Sequence, residues 1–444
     1  MPVVTNCGIR SYAALAGTAT LACGLLLAGL QAAAAREFRA VEVRGAEFIP
    51  EDDVRMTCGA MAGVDYSSID LRAIEDCLMS TGVFDSVRLY PEGDLLIIEV
   101  AETDSRPGRV EGTISYVAQD GLTAELSFEQ YNLFPSTYGA LHLMYNTEVR
   151  SFDANLYRTD IRGEGLDLGL DLIARESDYD DQSYSHRSIR FEPYLAWMPD
   201  DDLRLEAGLG LRQQRMGNVD ANASALVRQE AKDSQNTAPY LRFSLDFTSS
   251  TGLEGERADW ARPGYSIALD QFFWNLGGSD PLSDTRFELQ AQLPISETLR
   301  LQSGVRGGMV SGLSGNATRS IDRFFPGADT FRGFAPRGVG PRDSGDALGG
   351  NKFLVSYVEL QRDFGEIFGS GMRGGIFFET GAAWGLDDTL NGQINDGWQN
   401  RSSIGLSLTF EVGETPVALY VAEPLRKQPG DEVQVFGLGF TARF

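Results

Sequence analysis

The chain has 444 residues, 63 acidic against 38 basic side chains and a formal charge of −25, with 50 glycines, 42% hydrophobic and 10% aromatic residues. So acidic a surface repels nucleic acid. A helical membrane protein is excluded as well, because only one apolar run approaches the roughly 20 residues a spanning helix needs, and it stands at the N-terminus. The length suits one small domain followed by a large one.

That first run has the order of a secretory leader, expected over residues 1–35. Arg10 supplies the charge, Ala13 to Leu30 the apolar core, and Ala32-Ala33-Ala34-Ala35 the small-residue cleavage site. An uncleaved anchor is the alternative, and Cys23 is read as part of the apolar core. The exported chain then begins near Arg36 and keeps two cysteines, Cys58 and Cys77. An oxidising compartment permits a disulfide between them; two buried thiols are the other reading.

Residues 36–104 are expected to form a small α+β domain in the order strand, helix, helix, strand, strand. A first strand is predicted over Phe38 to Ile49. Pro50 then opens a helix, with acids at its positive end. Ser67 and Asp70 make a capping box for a second helix, in which Leu71, Ile74 and Leu78 recur at helical spacing and which Gly82 stops. Asp85 to Tyr90 and Asp94 to Val100 form a hairpin around Pro91-Glu92-Gly93.

From residue 105 to 444 the pattern becomes period-2. Leu203, Leu205, Ala207, Leu209 and Leu211 alternate with Arg204, Glu206, Gly208, Gly210 and Arg212, and Ile404, Leu406, Leu408 and Phe410 alternate with Gly405, Ser407 and Thr409. Sixteen such segments are predicted, near 108–118, 121–131, 138–146, 150–159, 165–175, 187–197, 203–213, 238–247, 263–272, 285–294, 298–310, 353–363, 371–381, 401–411, 414–422 and 434–444. Most approach the about 9–11 residues of a tilted membrane strand, and the count is even, as a transmembrane barrel of antiparallel strands requires. Long connections (176–186, 214–237, 273–284, 311–352, 382–400) mostly follow odd segments; 248–262 breaks that rule, as a long turn or a boundary error. The last segment alternates Phe436, Leu438, Phe440, Ala442 and Phe444 with Gly437, Gly439, Thr441 and Arg443. A closed barrel leaves no backbone group unpaired in lipid.

The connection 311–352 is too long to be idle. Its "DRFFPGADTFRGFAPRGVGPRDSGDALGGNKF" closely resembles the sixth loop of the BamA and TamA family of outer-membrane assembly factors. In that family an Arg-Gly-aromatic tip folds back into the lumen, which here is Phe331-Arg332-Gly333-Phe334. The resemblance implies an acidic partner on the inner face of the thirteenth strand, in a Phe-x-Asp-x-Gly pattern. Phe377, Glu379 and Gly381 occupy it, with Glu for Asp and so one methylene more of reach. The aromatic end of the last strand, Gly437, Gly439, Phe440 and Phe444, is similar to the signal that outer-membrane barrels present for assembly, and residues 36–104, with Gly82-Val83-Phe84, resemble a POTRA domain. The family usually carries several such domains; this chain has room for one.

The resemblance implies insertion or translocation of unfolded outer-membrane or exported polypeptides, through a seam between the first and last strands that Gly437 and Gly439 would weaken. It implies a bacterial outer membrane with lipid and lipopolysaccharide around the barrel, the small domain in the periplasm, and accessory periplasmic or lipoprotein factors. A two-partner-secretion export pore is the alternative. A barrel enzyme is a third class: His142 and His186 are the chain's two histidines, and Ser314 lacks the spacing of a nucleophile elbow. No metal cluster, phosphate loop or nucleotide fingerprint stands out, so no catalytic residue and no cofactor is expected.

Overall fold

The computed structural model describes residues 36–46, 49–102, 108–117, 121–162, 165–200, 202–232, 235–249, 262–328, 330–367, 370–412 and 415–443. The expected leader at 1–35 and the terminal Phe444 lie outside them. The chain divides into two compact units, residues 1–105 and 106–444.

In the small unit, Ala40–Arg44 runs parallel to the central strand Leu95–Glu102, which pairs antiparallel with Phe84–Glu92. Helices Glu51–Thr57 and Ser68–Ser80 supply Val54, Ile74 and Leu78 to a core shared with Val41, Val43, Leu96 and Ile98. Ser67 and Asp70 form the reciprocal cap. The first strand stops at Arg44, short of the predicted Ile49. Gly45 turns to φ +87°, and a Cβ there would stand 2.1 Å from the Val100 carbonyl oxygen, so the chain leaves the sheet at that point. Cys58, just past the first helix, is disulfide-bonded to Cys77 of the second, with Cα atoms 5.9 Å apart.

The large unit is a closed transmembrane barrel of sixteen antiparallel strands. They are β1 (Gly108–Val117), β2 (Gly121–Phe134), β3 (Thr137–Tyr145), β4 (Val149–Arg158), β5 (Leu166–Ser177), β6 (Ser185–Asp200), β7 (Leu203–Gly217) and β8 (Asn236–Thr248). The second half is β9 (Gly264–Trp274), β10 (Leu282–Ser296), β11 (Leu299–Gly312), β12 (Lys352–Ile367), β13 (Ser370–Trp384), β14 (Arg401–Val412), β15 (Thr415–Arg426) and β16 (Phe436–Arg443). Each predicted segment is a strand. β8 ends at Thr248 and β9 starts at Gly264; residues 250–261 of the connection between them lie outside the described residues.

Alternation sorts the residues as a spanning barrel requires. Leu209 and Leu211 are 58% and 53% exposed on the outer face, while Arg212 and Gln214 are buried inside. Closure is uneven. β5 and β6 share twelve registered pairs. Among the described residues β16 shares five with β15 and four with β1, from Phe440↔Tyr116 to Arg443↔Thr113.

The connections after β5, β7, β11 and β13 all emerge at one end of the barrel and pack together. Tyr184, Ala223, Leu226, Val227, Leu348 and Ile394, one or more from each, form a buried cluster with Met216 of β7. Ion pairs tie these connections to one another: Arg337 to Asp181 at 2.6 Å and Arg323 to Glu230 at 2.6 Å. The result is a cap over that mouth.

Candidate functional site

Residues 313–351, between β11 and β12, supply the longest part of the cap and send one turn onto the inner wall. The phenyl rings of Phe331 and Phe334 pack at 4.6 Å between centroids and are fully buried with Val339 and Val355. Between them Gly333 takes φ +96°, and a Cβ there would stand 3.0 Å from the Ser403 Cβ. Both the turn and the approach to the wall select glycine.

Arg332 is thereby aimed at β12 and β13. Its Nε donates to Glu379 Oε1 at 2.6 Å and its backbone N–H to Glu379 Oε2 at 2.8 Å. Its Nη1 lies 2.8 Å from Glu359 Oε2. The guanidinium carbon stands 3.6 Å from the centre of the Phe377 ring, and the Arg332 carbonyl accepts from Ser403 Oγ at 2.6 Å. One cation thus meets two carboxylates and an aromatic face. Burial alone would lower the basicity of Arg332, but Glu379 and Glu359 outweigh it and hold the guanidinium more firmly protonated than in water. The surplus carboxylate charge is met by hydrogen bonds, since Glu359 also accepts from Ser407 and Gln361.

The expected residues Arg332, Phe377 and Glu379 come together here. Gly381 lies one inward step further along β13, where a Cβ would come 2.4 Å from the Leu354 carbonyl oxygen. Four contributors have no place in the expected pattern: Glu359, Gln361, Ser403 and Ser407. Glu359 carries a signal of a kind, an acid between the outward Val358 and Leu360 on a strand that neighbours β13.

The same turn grips the segment that leads into β16. Gly333 pairs with Gln434 and Phe334 with Val433, the Ala335 N–H donates to the Glu432 carbonyl, and Arg342 meets the Glu432 carboxylate at 2.8 Å. Arg401 on β14 holds Asp431 at 2.8 Å. The turn is therefore fixed both to the wall (β12 to β14) and to the lead-in of the last strand.

The family model described as the Omp85 superfamily domain matches residues 136–444. The chain belongs to the Omp85 superfamily. An outer membrane protein assembly factor BamA of Neorickettsia risticii (strain Illinois) is 24% identical over 375 residues, which cover 83% of this chain and 50% of that protein. One from Neisseria meningitidis serogroup B is 22% identical, covering 89% of this chain and 55% of its own length. This Omp85 chain thus spans about half the length of the curated BamA relatives it matches. A crystal structure of BamA from Haemophilus ducreyi lacking POTRA domains 1–3 shares the fold with a TM-score of 0.75 at 16% identity, covering 92% of this chain and 85% of that one. CdiB from Acinetobacter baumannii shares it less closely, with a TM-score of 0.55 at 11% identity over 92% and 74% of the two chains.

The remaining candidates lie apart from the Arg332 turn. Phe440 of β16 stacks with Tyr116 of β1 at 6.5 Å across the closure. His142 on β3 has carboxylates as partners among the described residues, Glu125 at 3.2 Å and Asp153 at 3.9 Å, and Ser115 donates to Glu125 rather than to the imidazole. Ser314 occupies a left-handed turn position in the cap. No nucleophile–base pair is assembled around either histidine among the described residues.

Proposed function

We propose that this Omp85 protein inserts or translocates polypeptides at the bacterial outer membrane, without covalent chemistry, by opening the β1–β16 closure to a client strand. The observation that carries this reading is the short register of that closure, four pairs among the described residues, beside the twelve of an ordinary neighbouring pair. An incoming strand would exchange one set of backbone hydrogen bonds for another. Such an exchange is nearly isoenergetic, because each backbone hydrogen bond broken at the seam is replaced by one of the same kind to the client and no group is left unpaired in lipid. The Arg332 turn supports the reading by holding β12 to β14 rigid on one side while gripping the lead-in to β16 on the other. The small unit is assigned to the periplasm as a POTRA-like module that receives unfolded clients by strand addition. Accessory periplasmic factors, lipid and lipopolysaccharide are the further partners this role implies.

Export of a dedicated polypeptide through the lumen is the second reading, favoured by the likeness in fold to CdiB. The cap and the Arg332 turn weigh against it, since both would have to leave the bore.

The test joins Tyr116→Cys to Phe440→Cys, which stand opposite each other in register. Oxidation is expected to stop client insertion and reduction to restore it. Unchanged insertion by the oxidised protein overturns the seam mechanism. Depletion followed by quantification of outer-membrane proteins separates the two functions: a broad fall in barrels supports insertion, and loss of one exported protein supports secretion.

A further inference from the structure

The outer wall of the barrel is a belt of exposed apolar side chains, and at the capped end of β4 to β7 that belt stops at a row of charge. Arg215 lies on the same side of β7 as the exposed Leu209 and Leu211, and so points outward. Register carries the row across the neighbouring strands. Arg215 pairs with Arg187 of β6, Arg187 with Glu176 of β5, Glu176 with Arg150 of β4, and Arg150 with Tyr145 of β3. All five side chains are exposed. Two outward rows nearer the middle of the wall, Leu172, Phe191 and Leu211 stand in register and are exposed too.

The row stands at the height of a lipid headgroup. From Leu205, the register partner of the exposed Trp197, to Arg215 the strand rises about 34 Å, or about 26 Å along the membrane normal at a tilt of about 40°, close to an apolar band of about 25 Å. Trp197 at one edge and Tyr145 at the other are the aromatic types that membrane interfaces favour. Arg187 and Arg215 are like charges in directly opposed positions, which destabilises a sheet. Glu176 is the one acid of the row, and as a register partner it serves both Arg150 and Arg187. Arg150 also lies 5.6 Å from the centre of the Tyr145 ring. Among the described residues neither Arg187 nor Arg215 has an ion-pair partner. Carboxylates in the connections above are engaged elsewhere, Asp178 by the Asn218 side chain at 3.2 Å and Glu148 by the Asp180 N–H at 3.3 Å. At the capped ends of β10 and β11 the outward pair is Ser283 and Ser311, so such charge is not general to the rim.

We propose that Arg187 and Arg215, with Arg150 at the other end of the row, bind the phosphorylated headgroup of an outer-leaflet lipid whose acyl chains lie on the wall around Phe191 and Leu211. The placement rests on the reading above, in which the small unit is periplasmic and the capped mouth faces outside. Guanidinium forks match phosphate oxygens in pairs, and three arginines against one glutamate leave the row positive. Continuity with the apolar rows beneath selects a lipid, because an amphiphile meets both the charge and the oily wall, whereas a free ion meets only the charge. β5 and β6, which carry the middle of the row, share twelve registered pairs. The lipid is therefore held on a wall that stays closed while the β1–β16 closure opens.

The experiment uses the full chain folded in zwitterionic detergent and reads native mass spectrometry and thermal unfolding with three additions. These are lipid A (an acylated glucosamine disaccharide carrying phosphate), the same lipid stripped of phosphate, and inorganic phosphate. Saturable binding of lipid A is expected, with the stripped lipid weaker by about tenfold or more, the equivalent of one charge-assisted hydrogen bond. Arg187→Gln combined with Arg215→Gln should remove that preference. Glu176→Gln, which deletes the acid of the row, should tighten binding of lipid A, a gain that lost stability cannot explain. Arg158→Gln, on the same outward face of β4 but at its other end, should change nothing. Equal binding of the two lipids, a preference unchanged in the double variant or in Glu176→Gln, or an equal loss in Arg158→Gln overturns the site. Stabilisation by inorganic phosphate as large as that by lipid A overturns the lipid as its occupant. No client enters these measurements, so their failure is distinct from failure of the Tyr116–Phe440 crosslink to stop insertion.

Discussion

Arg332 is one cation between two carboxylates, so removing it does more than delete a contact. In Arg332→Ala, Glu359 and Glu379 face each other with nothing between them, and breaking a buried pair in this way costs about 3–5 kcal/mol. The expected readout is a lower urea midpoint for the compact, heat-modifiable form on cold gel electrophoresis. Arg332→Lys should recover only part of the loss, because a single ammonium cannot serve both acids and the Phe377 face at once. Glu379→Gln should cost more than Glu359→Gln, since Glu379 alone also accepts the Arg332 backbone N–H. Arg332, Phe377 and Glu379 could be found in the sequence because they sit in a spaced pattern. Glu359 could not. It belongs to no motif, and its role depends on β12 lying in register against β13, with Tyr357 opposite Glu379, which the order of residues along the chain does not state. The extra methylene of Glu379 is absorbed by geometry: its two oxygens reach the backbone and the side chain of the same arginine.

Among elements, the strands were legible because lipid outside and a wet bore inside force a strict period of two. The purpose of the glycines was less so. On the inner wall, Gly169, Gly210, Gly304, Gly405 and Gly437 each stand in register with an aromatic residue of a neighbouring strand: Tyr194, Tyr240, Tyr357, Phe377 and Tyr420. A Cβ at Gly437 would lie 2.0 Å from the Tyr420 ring, and one at Gly210 2.5 Å from Tyr240. These rings lie flat across their neighbours' backbones and fill the space a side chain would take. Gly437 seats Tyr420, whereas a Cβ at Gly439 would stand 3.6 Å from the Tyr116 carbonyl oxygen, with no ring to displace. Gly437→Val should therefore destabilise the barrel by about 1–3 kcal/mol through overpacking, and Tyr420→Ala should relieve part of that loss in a double-mutant cycle. Strict additivity of the two changes would refute the seating. In the small unit, replacing Cys58 by Ser should cost about 3 kcal/mol, the entropy of a loop of this length, measurable by denaturant titration of the oxidised and reduced forms.

At the scale of the whole molecule, the cap depends on carboxylates held ionised. Burial would raise Asp322, but Arg319, Arg212 and Gln214 hold it below the usual carboxylate range. Asp387, in the connection after β13, is likewise held down against burial by the Thr318 N–H and hydroxyl. Groups whose folded values lie below the ordinary aspartate value of about 4 stabilise fully above it, and the contribution is lost as pH falls through the lower folded values. Acidification below the ordinary aspartate value of about 4 is accordingly expected to loosen the cap. Limited proteolysis with a protease active over the whole range should show cleavage within 313–351 rising on acidification while the strands stay protected; cleavage there that does not change with pH would contradict it.

The composition of this roof also orders its construction. Tyr184, Leu226, Leu348 and Ile394 arrive from four separate hairpins spread over more than half the cylinder, and no two neighbouring staves suffice to bring them together. Contacts so remote along the chain form late. The lid can therefore set only once the wall beneath has rounded into a ring, which makes a sealed top the molecule's own record that its hoop is finished.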